Sequence, residues 1–179
     1  MKKIIVSLLV LTLSACGWHL RGSMAGEDKL AMTAPMDLVI NAKDDHSPLV
    51  NALRESLPGY KINELTAVNT TAFTLNLGSE ILDRRTAGVG SDALTSAYEL
   101  TLRVEYSINN TSGGTITPRD TNARISRTYN YNVNNANGAA QEEELVLREM
   151  RRELAQSVLR RLKRLSTNPV PAAPTAAAQ

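Results

Sequence analysis

Tyr98, Leu100, Leu102, Val104, Tyr106 and Ile108 alternate without a break with Glu99, Thr101, Arg103, Glu105 and Ser107. A helix would scatter such a set around its axis, whereas a strand sorts it into one apolar and one polar face. The chain must therefore build a sheet in which this strand is half-buried, in an antiparallel or edge position. Other elements have to cover its apolar face.

The flanking sequence supplies them. Met36 to Asn41 reads as a short strand with Leu38 and Ile40 on one face. Ser47-Pro48 starts a helix, because the serine hydroxyl caps free N–H groups and proline at the first helical position sacrifices no hydrogen bond. Leu49, Val50, Leu53 and Leu57 form its stripe; Pro58-Gly59 stops it, with Gly59 expected to permit the reversal. Tyr60 to Asn63 is a brief returning strand. Phe73, Leu75 and Leu77 alternate and the pattern resumes at Ile81, making Gly78 a candidate bulge or twist. Thr86 to Asp92 reads as turn-rich. Asn109 to Gly114 makes a hairpin connection, and Ala123, Ile125, Arg127, Tyr129, Tyr131 and Val133 share one parity on the next strand. Arg127 is the odd member, either a packed stem whose head reaches solvent or an acid, or a group facing a ligand.

After the Asn-rich turn 132–138, Gln141 to Leu165 forms the longest helix, with Leu147, Met150, Leu154, Val158, Leu162 and Leu165 on one face. Glu142, Glu143 and Glu144 at its start oppose Arg160, Arg161, Lys163 and Arg164 near its end, as the helix macrodipole favours. That basic cluster has binding to an anionic surface as its functional alternative. The expected fold is α+β: a two-layer sandwich with two helices packed on one face of a four- to five-stranded mixed sheet. The other sheet face remains available.

The only cysteine, Cys16, follows a positive Lys2-Lys3 and an apolar run from Ile4 to Leu13 that is too short to span a bilayer. Leu13-Ser14-Ala15-Cys16 closely resembles the lipobox of bacterial lipoproteins, in which the cysteine is acylated and the signal removed before it. Residues 1–15 are then a cleaved signal peptide, 16–35 a lipidated N-terminus and tether, 36–165 the folded domain and 166–179 a disordered Pro/Ala tail. Trp18, within the tether, is expected to dock on the domain or to lie in the membrane interface. Gly17 stands where an aspartate favours retention in the inner membrane, so the outer membrane is expected. Loss of Lys2 and Lys3 leaves 18 basic and 18 acidic side chains, which argues against a nucleic-acid partner.

Catalytic chemistry is not legible. His19 and His46 lie apart, no Cys, His or acid cluster has metal-ligand spacing, and no nucleophile elbow, phosphate loop or dinucleotide fingerprint occurs. Asp83, Glu99 and Glu105 read as solvated surface charge. The expectation is a non-enzyme without metal or cofactor.

The string Cys16-Gly17-Trp18-His19-Leu20-Arg21 resembles the start of the LPS-assembly lipoprotein LptE family, and four features agree with it. These are the element order, the Ser-Pro-Leu helix start at Ser47, the turn into a Tyr-led strand at Thr95 to Tyr98, and Leu147-Arg148-Glu149-Met150 in the last helix. The resemblance implies an outer-membrane lipoprotein that plugs and helps assemble the β-barrel LptD and delivers lipopolysaccharide to the outer leaflet. It also implies lipopolysaccharide binding by basic residues at positions that align with Ser91 and Ala139, neither of which is basic. Substitutes are expected among Arg84, Arg85, Arg119, Arg124 and Arg127, because guanidinium groups pair phosphates through two hydrogen bonds. A lipid-binding carrier with its own apolar pocket is the alternative function, and it requires room between helices and sheet.

Overall fold

Three of the sheet's strands pair with one long strand. The computed structural model describes residues 34–67 and 71–167. In chain order these form β1 (Met36–Ala42), α1 (Pro48–Ser56), β2 (Ile62–Glu64), β3 (Phe73–Leu77), β4 (Ile81–Val89), β5 (Thr95–Asn109), β6 (Asn122–Asn130) and α2 (Ala136–Thr167). β1 lies parallel to both β2 and β3. β3 and β4 run one after the other along one edge of β5, antiparallel to it, and β6 runs antiparallel along the other edge. The 15-residue β5 is thus the alternating strand of the sequence, extended to Thr95 and Asn109.

The α+β class holds, with two helices on a mixed sheet that reaches six strands. The expected turn-rich segment from Thr86 is largely strand, since β4 continues to Val89 and the chain reverses only at residues 90–93. Pairing with β5 overrides the weak local signal of Thr-Ala-Gly-Val. Gly88 eases that pairing: a Cβ there would lie 3.0 Å from Ser96 Oγ and 3.3 Å from Ala97 Cβ, a tight fit at a point where the register shifts. Gly78, the anticipated irregularity, sits in the break between β3 and β4, and its N–H donates to Glu105 O at 2.8 Å.

The cap of α1 is as anticipated, with Ser47 Oγ accepting from the Val50 N–H at 3.3 Å. Its stop differs. Leu57–Tyr60 continues as a 3₁₀ turn through Pro58-Gly59, and Lys61, not Gly59, takes the left-handed conformation at φ 53°. Proline early in a 3₁₀ turn forfeits no bond. Helix α2 starts at Ala136, earlier than Gln141, after a 3₁₀ turn capped by Asn132. Glu142, Glu143 and Glu144 therefore lie beyond its first turn and are released from the terminal role assigned to them; only Arg164 of the basic cluster lies in the last turn. The helix runs to Thr167, two residues into the expected tail.

The core joins Leu100, Leu102, Val104 and Ile108 of β5 to Met150, Leu154, Val158, Leu159 and Leu162 of α2, with Leu49, Val50 and Leu53 of α1. Leu38 and Leu75 complete it from β1 and β3. Outside this layer, Arg151 holds Glu80 through two nitrogens at 2.8 and 3.0 Å, fastening α2 to the β3–β4 junction. Lys163, grouped in the sequence with the basic cluster that complements the helix macrodipole or binds an anionic surface, is instead 1% exposed, and its Nζ donates to the Ala34 carbonyl.

Replacing Leu159 by Ala should cost about 3 kcal/mol in denaturant unfolding, the usual range for a buried Leu. The same change at half-exposed Leu145 should cost under about 0.5 kcal/mol. Lys163 gives a pH signature. Burial, and secondarily Lys61, hold its pKa below the ordinary 10.5. The unfolded chain then binds more protons than the folded one between the lowered value and 10.5, so stability from this group rises with pH across that window. Unfolding measured at pH 7 and pH 10 should reveal this gain in the wild type and its loss in Lys163→Met.

Candidate functional site

β4, the N-terminal part of β5, and β6 form a three-stranded wing with two chemically different faces. On the helix side the directly opposed residues are Leu82–Leu102–Ile125, Arg84–Leu100–Arg127 and Thr86–Tyr98–Tyr129. On the other side they are Ile81–Arg103–Arg124, Asp83–Thr101–Ser126 and Arg85–Glu99–Thr128. The second face is polar, and Thr101 and Ser126 hydroxyls meet across it at 2.8 Å. Every position of β4 except Gly88 is exposed, and its charges shield an edge whose backbone would otherwise invite another strand.

Two of the five arginines anticipated from the sequence flank Leu100 on the helix side. Arg84 donates to Glu143 of α2 at 3.1 Å and lies 4.7 Å from the Tyr98 ring centroid, a cation–π distance. Arg127 donates to Glu153 at 2.5 Å, so its head reaches an acid, as one of its two sequence readings anticipated. Ten residues separate those acids, about 15 Å along a helix, so the two guanidiniums do not converge. Arg85 lies on the opposite face against Glu99 at 2.7 Å. Arg124 belongs to the outer row of the edge strand β6 and borders the hollows on both sides of that strand, and Arg119 occupies the exposed excursion between the hairpin turn and β6. The five therefore split among three places.

Glu143 is the residue that sequence reasoning missed. It also accepts from the Tyr129 hydroxyl at 2.5 Å, so one carboxylate joins β4, β6 and α2. Tyr98 packs between the Tyr129 ring at 5.9 Å and the Tyr131 ring at 5.1 Å, the latter edge-on. Burial, then the bond to Glu143, push the Tyr129 phenol up to about 12. Ala139 lies one turn before Glu143 on the same helix face, and Ser91 lies in the turn following β4. Of the two positions that align with the family's basic residues, Ala139 thus lies next to the cluster of Arg84, Tyr98, Tyr129 and Glu143, whereas Ser91 lies in the turn beyond the far end of β4. Nothing in the sequence marks Glu143 apart from Glu142 and Glu144; only the phase of the helix against β6 selects it.

Among the described residues no group of three or more His, Cys, Asp or Glu side chains can hold a metal. Among them, too, no helix is long and apolar enough to cross a membrane. Cys16, Trp18, the signal segment and the tail from residue 168 lie outside the described residues.

The cluster predicts a pH response. The folded-state pKa of Tyr129 lies above its ordinary 10.0, so the stability it contributes is complete below pH 10 and is lost as pH rises through about 12. Tyr129→Phe should cost about 1–2 kcal/mol at pH 8, as for a hydrogen bond to a charged group. Above pH 10 its unfolding curve should approach that of the wild type; a constant offset from pH 8 to 12 would contradict the assignment.

Comparison with known proteins agrees with this architecture. The chain is 27% identical over 163 residues to the LPS-assembly lipoprotein LptE of Pectobacterium atrosepticum, covering 89% of this chain and 83% of that protein. It is 26% identical to the protein of the same name from Photorhabdus laumondii, with the same coverage. Its fold matches rare lipoprotein B of Shewanella oneidensis with a TM-score of 0.65 at 23% identity, over 74% of this chain and 97% of that one. A minor lipoprotein from Acinetobacter baumannii matches at 0.60 and 21% identity, over 75% and 95%. The family model described as LptE, lipopolysaccharide-assembly, matches residues 36–162, and the chain belongs to that family.

Proposed function

We propose that this protein is a non-enzymatic outer-membrane lipoprotein, acylated at Cys16, that plugs and helps assemble an LptD-like β-barrel and takes part in delivering lipopolysaccharide to the outer leaflet. The observation that carries the reading is the family match across residues 36–162, which supports a role in lipopolysaccharide assembly. Physical features fit the finer statement. A small domain whose wing has a polar outer face suits the polar interior of a barrel. Stable anchoring needs more than one acyl chain, which the acylated N-terminal cysteine of a lipoprotein carries.

The carrier alternative needs space between helices and sheet. That space holds Leu100, Leu102, Met150, Leu154, Leu159 and Leu162, each no more than 1% exposed. Of the arginines, Arg84 has the best position for lipopolysaccharide, beside the turn of α2 that carries Ala139. Its pairing with Glu143 leaves it half-exposed, and an exposed pair of this kind is worth little and is readily exchanged for a phosphate.

Affinity purification from detergent-solubilised outer membrane should recover a large barrel protein in stoichiometric amount. Recovery of the lipoprotein alone would overturn the plug. Cys16→Ser should abolish incorporation of labelled acyl chains while the domain keeps its melting temperature; acylation persisting in this variant would contradict the assignment of Cys16.

A further inference from the structure

A cleft of about 530 Å³ opens between the C-terminal half of α2 and β6, away from the Glu143 cluster. Arg124 of β6 and Arg160, Arg161 and Arg164 of α2 line it, with Tyr106 and Ser157 between them. No acid lines the cleft, and among the described residues none of the four arginines meets a carboxylate. The macrodipole does not account for this arrangement. Its influence fades within the last turn, which holds only Arg164, and Arg124 belongs to a different element altogether. Three like charges on one face of α2, with a fourth at the edge of β6, repel one another, and no carboxylate among the described residues pairs with them.

We propose that this cleft binds a ligand carrying two phosphate groups, as on a phosphorylated sugar or a lipid headgroup. Charge fixes the class: a phosphate monoester carries about −1.5 to −2 with three acceptor oxygens, so two of them match four guanidiniums, where a single carboxylate would offset only one. Guanidinium geometry accepts phosphate through paired hydrogen bonds. The volume lies within the range of small-molecule sites, and Tyr106 and Ser157 add hydroxyls suited to a sugar. The Arg161 charge also acts on the Tyr106 phenol, whose pKa burial raises and this guanidinium opposes, so the hydroxyl is held at the cleft as a neutral donor. The proposal draws on the lipopolysaccharide reading only for the source of the phosphates.

Titration of the full-length lipidated protein in neutral detergent with inorganic pyrophosphate tests the cleft by itself. The triple variant Arg124→Gln, Arg160→Gln, Arg164→Gln should weaken pyrophosphate binding at least tenfold with an unchanged melting temperature. Arg148→Gln, outside the cleft and paired with Glu144, should bind as the wild type does. Arg124→Gln alone, on an exposed strand residue, gives a partial loss that does not depend on the helix. Absence of pyrophosphate binding, or equal binding by the triple variant, would overturn the site. Lipopolysaccharide bound before but not after chemical dephosphorylation assigns the phosphates to that lipid. Pyrophosphate binding without lipopolysaccharide binding keeps the cleft and removes lipopolysaccharide as its ligand, and preference for vesicles containing cardiolipin, whose headgroup carries two phosphates, over phosphatidylcholine vesicles then assigns a membrane headgroup. Loss of the barrel partner in the triple variant, with no phosphate probe bound by the wild type, would make the cleft an acidic-protein contact and end the proposal.

Discussion

The burial of one face of β5 under α2 is the constraint to which the other elements answer. β5 is hydrogen-bonded along both edges, to β3 and β4 on one side and to β6 on the other, so a one-residue shift of its register would move Leu100, Leu102 and Val104 to the solvent face. α2 is long enough to cross the whole of this face, and α1 fills the remaining angle against it. At about 25 cal/mol per Å² of apolar surface, such an aliphatic interface outweighs what the exposed ion pairs around it contribute. Those pairs set position. Glu143 and Glu153 fix where along α2 the two sides of the wing attach, and the less exposed Arg151–Glu80 pair fixes the angle at the sheet's break.

Much of this was legible because it is periodic. The alternation from Tyr98 to Ile108, the stripe from Met150 to Leu165 and the Ser47-Pro48 cap each encode an element in local spacing, and each appears where spacing placed it. β4 was only half legible. Its inner row, Leu82, Arg84 and Thr86, has no apolar signature, because α2 does not cover that edge and polarity there does no harm. The extra turns at the start of α2 were hidden by asparagines, which favour turns as isolated residues but here cap and open the helix.

The functional residues were less legible than the fold. Listing arginines by type set Arg84 beside Arg85, yet strand geometry sends them to opposite faces, one over an aromatic ring and one against Glu99. Arg124 and Arg160 to Arg164 stand some forty residues apart and entered the sequence reading as two unrelated features; the packing of α2 beside β6 makes them neighbours. Lys163, one member of the same run, points instead into the protein. A helix carries several functions on a basic stretch by rotating 100° per residue, and sequence alone does not reveal which residue meets which surroundings.

The bond from Lys163 to the Ala34 carbonyl has a mechanical consequence. It fastens the chain to α2 just before β1 begins, and β1 itself is paired on both sides, with β2 and β3. A pull applied along the strand from its N-terminal end would load those two ladders in shear, many hydrogen bonds at once, and would not peel them one by one. The outermost part of the domain at that end is thereby built to bear tension, and the force is passed to the longest helix before it reaches the sheet's interior.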